Sequence, residues 1–193
     1  MTYKLTQILE AVLLSASQPV SIEELERLFD EDIKPSKNDI RQALSEIDSY
    51  CHDRGFSLKK VASGYRLQVR QELSDYVAKL WAEKPQKYSK ASLETLALIA
   101  YKQPITRGEI EEIRGVSVGT QLLRSLLERG WIKIVGQRDV PGKPSLYSTT
   151  KEFLDYFGVQ HLRELPALPE LSDLEDINKE FPFEGNDSPS QVV

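Results

Sequence analysis

A four-residue turn that occurs twice constrains the fold of this chain more than any other feature. In the second copy, QPIT at residues 103–106, the proline blocks continuation of the preceding helix, and the threonine stands three residues before Glu109, the spacing of a capping box. In the first copy, QPVS at residues 18–21, the serine stands three residues before Glu24. An apolar residue precedes each cap and can staple onto the following helix. Because the N-cap residue, the capping-box glutamate and the apolar staple residue recur in the same order, we expect a duplicated module.

The apolar periodicity around each turn predicts the order of a winged helix. In the first copy, 3.6-residue spacing predicts helices over residues 5–15, 21–29 and from 36 onward, and alternation over residues 56–69 predicts a β-hairpin with Gly64 in its loop. The second copy repeats three helices from residue 89 and then two strands, at residues 131–135 and 146–149. We therefore predict a mainly α fold with small β-hairpins, built from two tandem winged-helix domains and a disordered acidic C-terminal tail.

The domain boundaries follow from breaks in these patterns. An apolar stripe predicts a connecting helix over residues 72–81; its members are Leu73, Tyr76, Val77, Leu80 and Trp81. Proline and acidic residues after residue 165 predict a tail that cannot bury enough apolar surface to become ordered. The predicted division is an N-terminal winged helix at 1–70, a connecting helix and linker at 71–88, a C-terminal winged helix at 89–158, and a short helix with a flexible acidic tail at 159–193.

Composition excludes several classes of site. Cys51 is the only cysteine, and His52 and His161 are isolated, so we expect no disulfide, no metal site and no cofactor. No apolar run approaches the roughly 20 residues that cross a membrane, and the first residues do not resemble a secretory signal, so we expect a cytoplasmic protein. No nucleophile elbow, phosphate-binding glycine loop or carboxylate pair is present, which predicts that the protein is not an enzyme.

The charge distribution argues against tight binding to DNA. Residues 159–193 carry a net charge of −6, and the remainder is nearly neutral, whereas proteins that bind many phosphates are usually strongly basic. Winged helices nevertheless bind DNA most often, through the third helix and the wing. The residues that could contact DNA are Lys37, Arg41, Arg124 and Lys133.

Two features of the second copy suit a protein partner. Its first helix carries Leu98 and Ile99 beyond the face expected to be buried, so a second covering surface is expected. Its wing has a long tip over residues 138–144 with two prolines and a glycine, which costs less entropy to order on binding than a flexible loop. A long turn whose prolines only shape the hairpin is the alternative.

The segments LETLALIAYKQPITRGEIEEIRGV and LLRSLLERGWIKIVGQRDVPGKPSLYSTTKEFLDYFG resemble the segregation and condensation protein B (ScpB) family of bacteria. The resemblance implies a tandem winged-helix homodimer that dimerises mainly through its N-terminal domain. It also implies binding to the kleisin ScpA through the C-terminal domain, within the nucleoid-associated complex of the Smc ATPase, with any DNA contact indirect. The residues that we assign to kleisin binding are Leu98, Ile99, Tyr101, Arg138, Asp139, Val140, Pro141 and Lys143.

Two other functions remain as alternatives. A winged-helix transcriptional regulator would bind short duplexes with sequence selectivity, and that binding would be lost on substitution of Lys37, Arg41 and Arg124. An enzyme would need a pocket with perturbed titratable groups, for which the sequence offers no cluster. Intrinsic ATP hydrolysis by the pure chain would support that class.

Overall fold

The structure is a computed structural model that describes residues 3–80 and 88–166. The first module consists of α1 (Leu5–Ser15), α2 (Ile22–Glu26), α3 (Lys37–Tyr50), β1 (Phe56–Lys60) and β2 (Tyr65–Val69). The second module consists of α5 (Lys90–Lys102), β3 (Ile105–Thr106), α6 (Arg107–Arg114), α7 (Thr120–Glu128), β4 (Ile132–Gln137), β5 (Ser145–Thr149) and α8 (Lys151–Phe157). Each module is a winged helix, as the sequence predicts.

The predicted capping boxes start the second helix of both modules. Thr106 Oγ1 accepts a hydrogen bond from the backbone N–H of Glu109 at 3.3 Å, and the Glu109 carboxylate accepts one from the Thr106 N–H at 2.9 Å. Ser21 and Glu24 form the same pair of bonds, at 3.2 Å and 2.8 Å. These reciprocal bonds satisfy donors that a helix N-terminus otherwise leaves free.

The first module packs α1, α2 and α3 around one apolar cluster. Its buried members are Leu9, Leu13, Leu25, Ile40, Ala43, Leu44, Ile47 and Cys51. The 3.6-residue period of α3 allows either Tyr50 or Cys51 at its last inward position. Cys51 is buried and Tyr50 is 73% exposed, so the cysteine completes the core. The helix ends at Tyr50 with Cys51 as its cap.

The second module has a three-stranded antiparallel sheet in the order β3-β5-β4. Strands β4 and β5 form the wing, and β3 adds a two-residue strand in which Ile105 pairs with Tyr147. The sequence did not predict β3, because two residues are too few for alternation to be visible. The buried cluster consists of Leu96, Ile99, Ala100, Ile105, Ile110, Val118, Leu123, Leu126, Trp131, Ile132 and Phe153.

The segment between the modules differs from the prediction. In place of one helix over residues 72–81, a 3-10 turn at Gln71–Leu73 leads into the short α4 (Ser74–Ala78). Tyr76 and Leu80 are 72% and 78% exposed, so these two members of the stripe are largely uncovered and give a longer helix little packing support. Trp81 and the acidic tail from residue 167 lie outside the described residues.

Two further findings concern what the described residues lack. Within residues 3–80 and 88–166, no helix is long and apolar enough to cross a membrane. In the same ranges, no three His, Cys, Asp or Glu side chains are grouped so that they could hold a metal ion. His52 and His161 are both exposed.

Candidate functional site

Helix α5 carries the first set of predicted binding residues and shows which of them face the core. Ser89 caps the helix by accepting a hydrogen bond from the Ser92 N–H at 3.2 Å. Ile99 is completely buried. A fully buried side chain cannot contact a partner, so its assignment to a binding surface is wrong. The helix is apolar on most sides, and its sequence therefore left open which face points inward.

Leu98 and Tyr101 are only partly buried and pack at the margin of the second core. The Tyr101 hydroxyl donates a hydrogen bond to the backbone carbonyl of Pro166. Both side chains thus keep exposed surface on α5, and Tyr101 also holds the chain that follows α8. These two residues remain candidates for partner binding.

An apolar groove runs between α5 and α8, and we call it the α5/α8 groove. It has a volume of 220 Å³. Its lining residues are Leu93, Leu96, Ala97, Ala100, Tyr101, Phe153, Phe157, Leu165 and Pro166. Leu93 is 38% exposed and Phe157 is 44% exposed. Leu93 and Ala97 border this open groove and are not members of the buried core. The sequence did not predict that Phe157 and Leu165 line a groove. The four-residue spacing of Leu93, Ala97 and Tyr101 is the signal that could have indicated the face of α5 on which the groove lies.

An aromatic cluster supports one side of the groove. The Trp131 ring lies 4.5 Å from that of Tyr156 and 6.1 Å from that of Phe157, measured between centroids. The Arg129 guanidinium lies 5.0 Å from the Tyr88 ring centroid, within cation–π range. Trp131 is 5% exposed and belongs to the buried core of the second module. The hydrogen bond with the Tyr88 hydroxyl, together with burial, raises the pKa of Tyr156.

The tip of the second wing presents the other predicted binding residues. Two backbone hydrogen bonds of 2.9 Å close the loop. The Arg138 N–H donates to the Pro144 carbonyl, and the Lys143 N–H donates to the Val140 carbonyl. All of residues 138–143 are exposed, and Val140 keeps 45% of its surface accessible. The tip is therefore an ordered loop that offers an apolar side chain to solvent.

An ion pair fixes the tip to α6. The Arg138 guanidinium lies 2.9 Å from the Glu109 carboxylate. The hydrogen bonds from the Thr106 backbone and side chain lower the pKa of Glu109 most, and the Arg138 charge lowers it further. Glu109 thus connects the capping box to the wing tip. Among the described residues, the hydrogen bonds of the tip lead to α6 and not to Leu98 or Tyr101 on α5.

The four predicted DNA-contacting residues are all exposed, and three already have local partners. Lys37 pairs with Glu23 at 2.6 Å, and Arg124 pairs with Glu128 at 2.8 Å. The Arg41 guanidinium donates to the Asn38 side chain at 2.9 Å. The two ion pairs are exposed and therefore weak, but they neutralise the charges of Lys37 and Arg124 on the helices that would face DNA. Lys133, on β4, is the fourth.

The first module also has exposed apolar surface. A groove of 560 Å³ lies between α1 and α3, and its lining includes Leu14, Ile47, Tyr50 and Phe56. Leu14 is 62% exposed. Large apolar side chains grouped on one face often mark a surface that another protein covers.

Comparison with known proteins gives the family. Residues 7–168 match the family model described as segregation and condensation complex subunit ScpB. A segregation and condensation protein B homolog from Coxiella burnetii is 50% identical over 174 residues, which cover 90% of this chain and 83% of that protein. The segregation and condensation protein B of Syntrophotalea carbinolica is 42% identical, with coverage of 90% and 86%. A crystal structure of ScpB from Mycobacterium tuberculosis aligns with a TM-score of 0.37 at 32% identity, covering 82% of this chain and 99% of that one.

Proposed function

The chain belongs to the ScpB family of segregation and condensation complex subunits, and from this premise we propose that it is a non-catalytic subunit of a bacterial Smc–ScpA–ScpB complex. In this role it binds the kleisin ScpA as a homodimer and supports chromosome condensation and segregation. The proposal entails a cytoplasmic, nucleoid-associated location. It assigns nucleotide chemistry to the Smc partner.

The observation that carries the kleisin proposal is the ordered and exposed wing tip. Because Arg138 is held by Glu109 and the loop is closed by backbone hydrogen bonds, little conformational entropy is lost when a partner docks on Val140. The proposed site comprises Leu98, Tyr101, Arg138, Asp139, Val140, Pro141 and Lys143. Ile99 is omitted because it is buried.

The exposed apolar residues of the first module support the proposal of a homodimer. Leu14 and Tyr50 lie beside one groove between α1 and α3, and both side chains are largely exposed. A symmetric dimer that covered such a face would remove apolar surface from water on both protomers. Light scattering of the pure protein, with and without ScpA, tests self-association and stoichiometry together.

Co-purification with ScpA tests the site itself. Val140→Asp places a charge at the apolar centre of the tip, and we expect affinity to fall about tenfold or more, which corresponds to a loss of about 1.4 kcal/mol. Val116→Asp is the matched control, because Val116 is 56% exposed in the same module but outside the proposed site. Unchanged binding by Val140→Asp, or an equal loss in both variants, contradicts the assignment.

DNA-binding assays with the same protein distinguish a complex subunit from a transcriptional regulator. A complex subunit should bind short duplexes weakly and without sequence preference, since phosphate contacts carry no sequence information. Sequence-selective binding that is lost on combined substitution of Lys37, Arg41 and Arg124 would favour a transcriptional regulator. Ile99→Asp is unsuitable in either assay, because it would unfold the second core.

A further inference from the structure

The chain that follows α8 turns back across α5 and ends its described part inside the α5/α8 groove. Leu165 packs against the second core. The carbonyl of Pro166, the last described residue, accepts the hydrogen bond from Tyr101. The next residues of the chain therefore start at the Tyr101 end of an apolar groove.

The rest of the groove lies along α5 toward its N-terminus. Leu93, Ala97 and Tyr101 follow one another at four-residue spacing, so Ala97 lies about 6 Å and Leu93 about 12 Å from Tyr101 along the helix axis. Leu93 remains 38% exposed. This open part has the length of a short extended segment.

The sequence after Pro166 fits that space. Leucine recurs every third residue at positions 165, 168, 171 and 174, and prolines stand at 166 and 169. A three-residue repeat puts these side chains on one face of a polyproline II segment, which rises about 3.1 Å per residue. Leu168, two residues beyond Pro166, would then lie about 6 Å further along, at the level of Ala97.

Charge also fits this direction. A segment that ran in this direction would bring Glu170 and Asp173 toward the amino end of α5, where the exposed Lys90 begins the helix. Negative side chains are favoured near a helix N-terminus and near a cation. The opposite direction along α5 would take the acids away from both.

We propose that the α5/α8 groove binds the chain's own residues 167–171, with Leu168 against Ala97 and Leu93. The segment forms a strap across the second module, and this inference does not depend on kleisin binding.

Disulfide trapping in the full-length chain tests the strap. In a Cys51→Ala background, which removes the only native cysteine, the pair Ala97→Cys and Leu168→Cys is oxidised with copper phenanthroline. We expect a disulfide within one chain, formed at a rate independent of protein concentration. The control pair, Ala97→Cys and Ser190→Cys, places the second thiol far beyond the proposed segment in sequence, and should react on the order of tenfold more slowly.

A second pair covers the case in which Ala97→Cys disturbs the module. Leu93→Cys with Glu170→Cys uses an exposed helix position, and circular dichroism of the reduced protein verifies folding. Equal rates for the strap and control pairs overturn the proposal, as does the absence of a disulfide in both strap pairs. Disulfides that form only between chains also overturn it and indicate that a second copy fills the groove. Loss of ScpA binding would leave each of these results unchanged.

Discussion

Val20 and Tyr65 exchange two backbone hydrogen bonds of 2.8 Å each, and Ile105 pairs with Tyr147 in the same antiparallel manner in the second module. In both pairs the first residue directly precedes a helix cap, and the second lies on the returning strand of the wing. The repeated turn therefore caps a helix and also pairs with a strand of the wing over a short antiparallel stretch. Because each copy must meet both structural requirements, the same order of residue types occurs in both.

The close approach of turn and wing predicts a severe effect of Gly64→Ala. A Cβ atom at residue 64 would lie 2.3 Å from the carbonyl oxygen of Val20 and 2.6 Å from the nitrogen of Ser21. Both are backbone atoms that cannot move aside without breaking the pairing. We expect the free energy of unfolding of the first module to fall by about 1–3 kcal/mol, measured by urea denaturation.

Gly108→Ala is the matched control, because nothing lies within 4 Å of its added Cβ. Gly108 lies in the first turn of α6, where alanine has the higher helix propensity, so stability should rise by up to about 1 kcal/mol. If both variants were neutral, the close approach of Gly64 to the turn would not limit the side chain at that position.

Gln103 predicts a difference between the two copies of the turn. Its side-chain oxygen accepts hydrogen bonds from the Thr149 N–H at 2.8 Å and from the Ser148 hydroxyl, which ties the end of α5 to β5. Gln103→Leu leaves the partly buried Thr149 N–H without this acceptor and should cost about 1–3 kcal/mol by thermal or urea unfolding. Gln18 is exposed at the matching position, and Gln18→Leu should change stability by less than about 0.5 kcal/mol. Equal effects would contradict this distinction.

The sequence predicted the elements whose signals are local. Capping boxes depend on residues three apart, and both that the sequence predicts are present, at Ser21 and Thr106. The bounds of α1 and of the first hairpin follow from regular apolar spacing in the same way. The domain division at residues 70 and 88 stays a prediction, although α3, β1 and β2 share one core and α5 contributes to another.

The candidate site was less predictable because its signals are not local. Helix α5 is apolar on nearly every side, so periodicity could not determine that Ile99 points inward and that Leu93 borders a groove. The groove exists only because Phe157 and Leu165 pack back from a later part of the chain. The pairing of Arg138 with Glu109 likewise joins residues far apart in sequence.

The capping box of α6 predicts a pH dependence. The pKa of Glu109 is held below its ordinary value of 4.5, first by its hydrogen bonds with Thr106 and then by Arg138. A carboxyl group whose pKa is lower in the folded state than in the unfolded state stabilises the fold at pH values above its unfolded-state pKa. This contribution is lost as the pH falls through the pKa of the folded state. Thr106→Ala should raise the pKa of Glu109 in a carboxyl NMR titration and cost about 1 kcal/mol at pH 7.

Ser21→Ala is the internal control for that titration, because it removes the equivalent cap in the first module. It should raise the pKa of Glu24, which the Ser21 bonds hold low, and leave Glu109 unchanged. A Glu109 pKa at its ordinary value in the unaltered protein would show that the box does not hold the charged carboxylate.

Alkylation of the buried Cys51 thiol should report the opening of the first module alone. The thiol is 3% exposed, and burial raises its pKa, so native protein at about pH 7.5 should react slowly with iodoacetamide, which attacks the thiolate. If labelling follows the open fraction, Gly64→Ala should accelerate it about tenfold for each 1.4 kcal/mol of stability lost. Gln103→Leu weakens the other module and should leave the rate nearly unchanged, as followed by mass spectrometry. Rapid labelling of the unaltered chain would mean that Cys51 is accessible without opening, because no unfolding step would then limit the reaction.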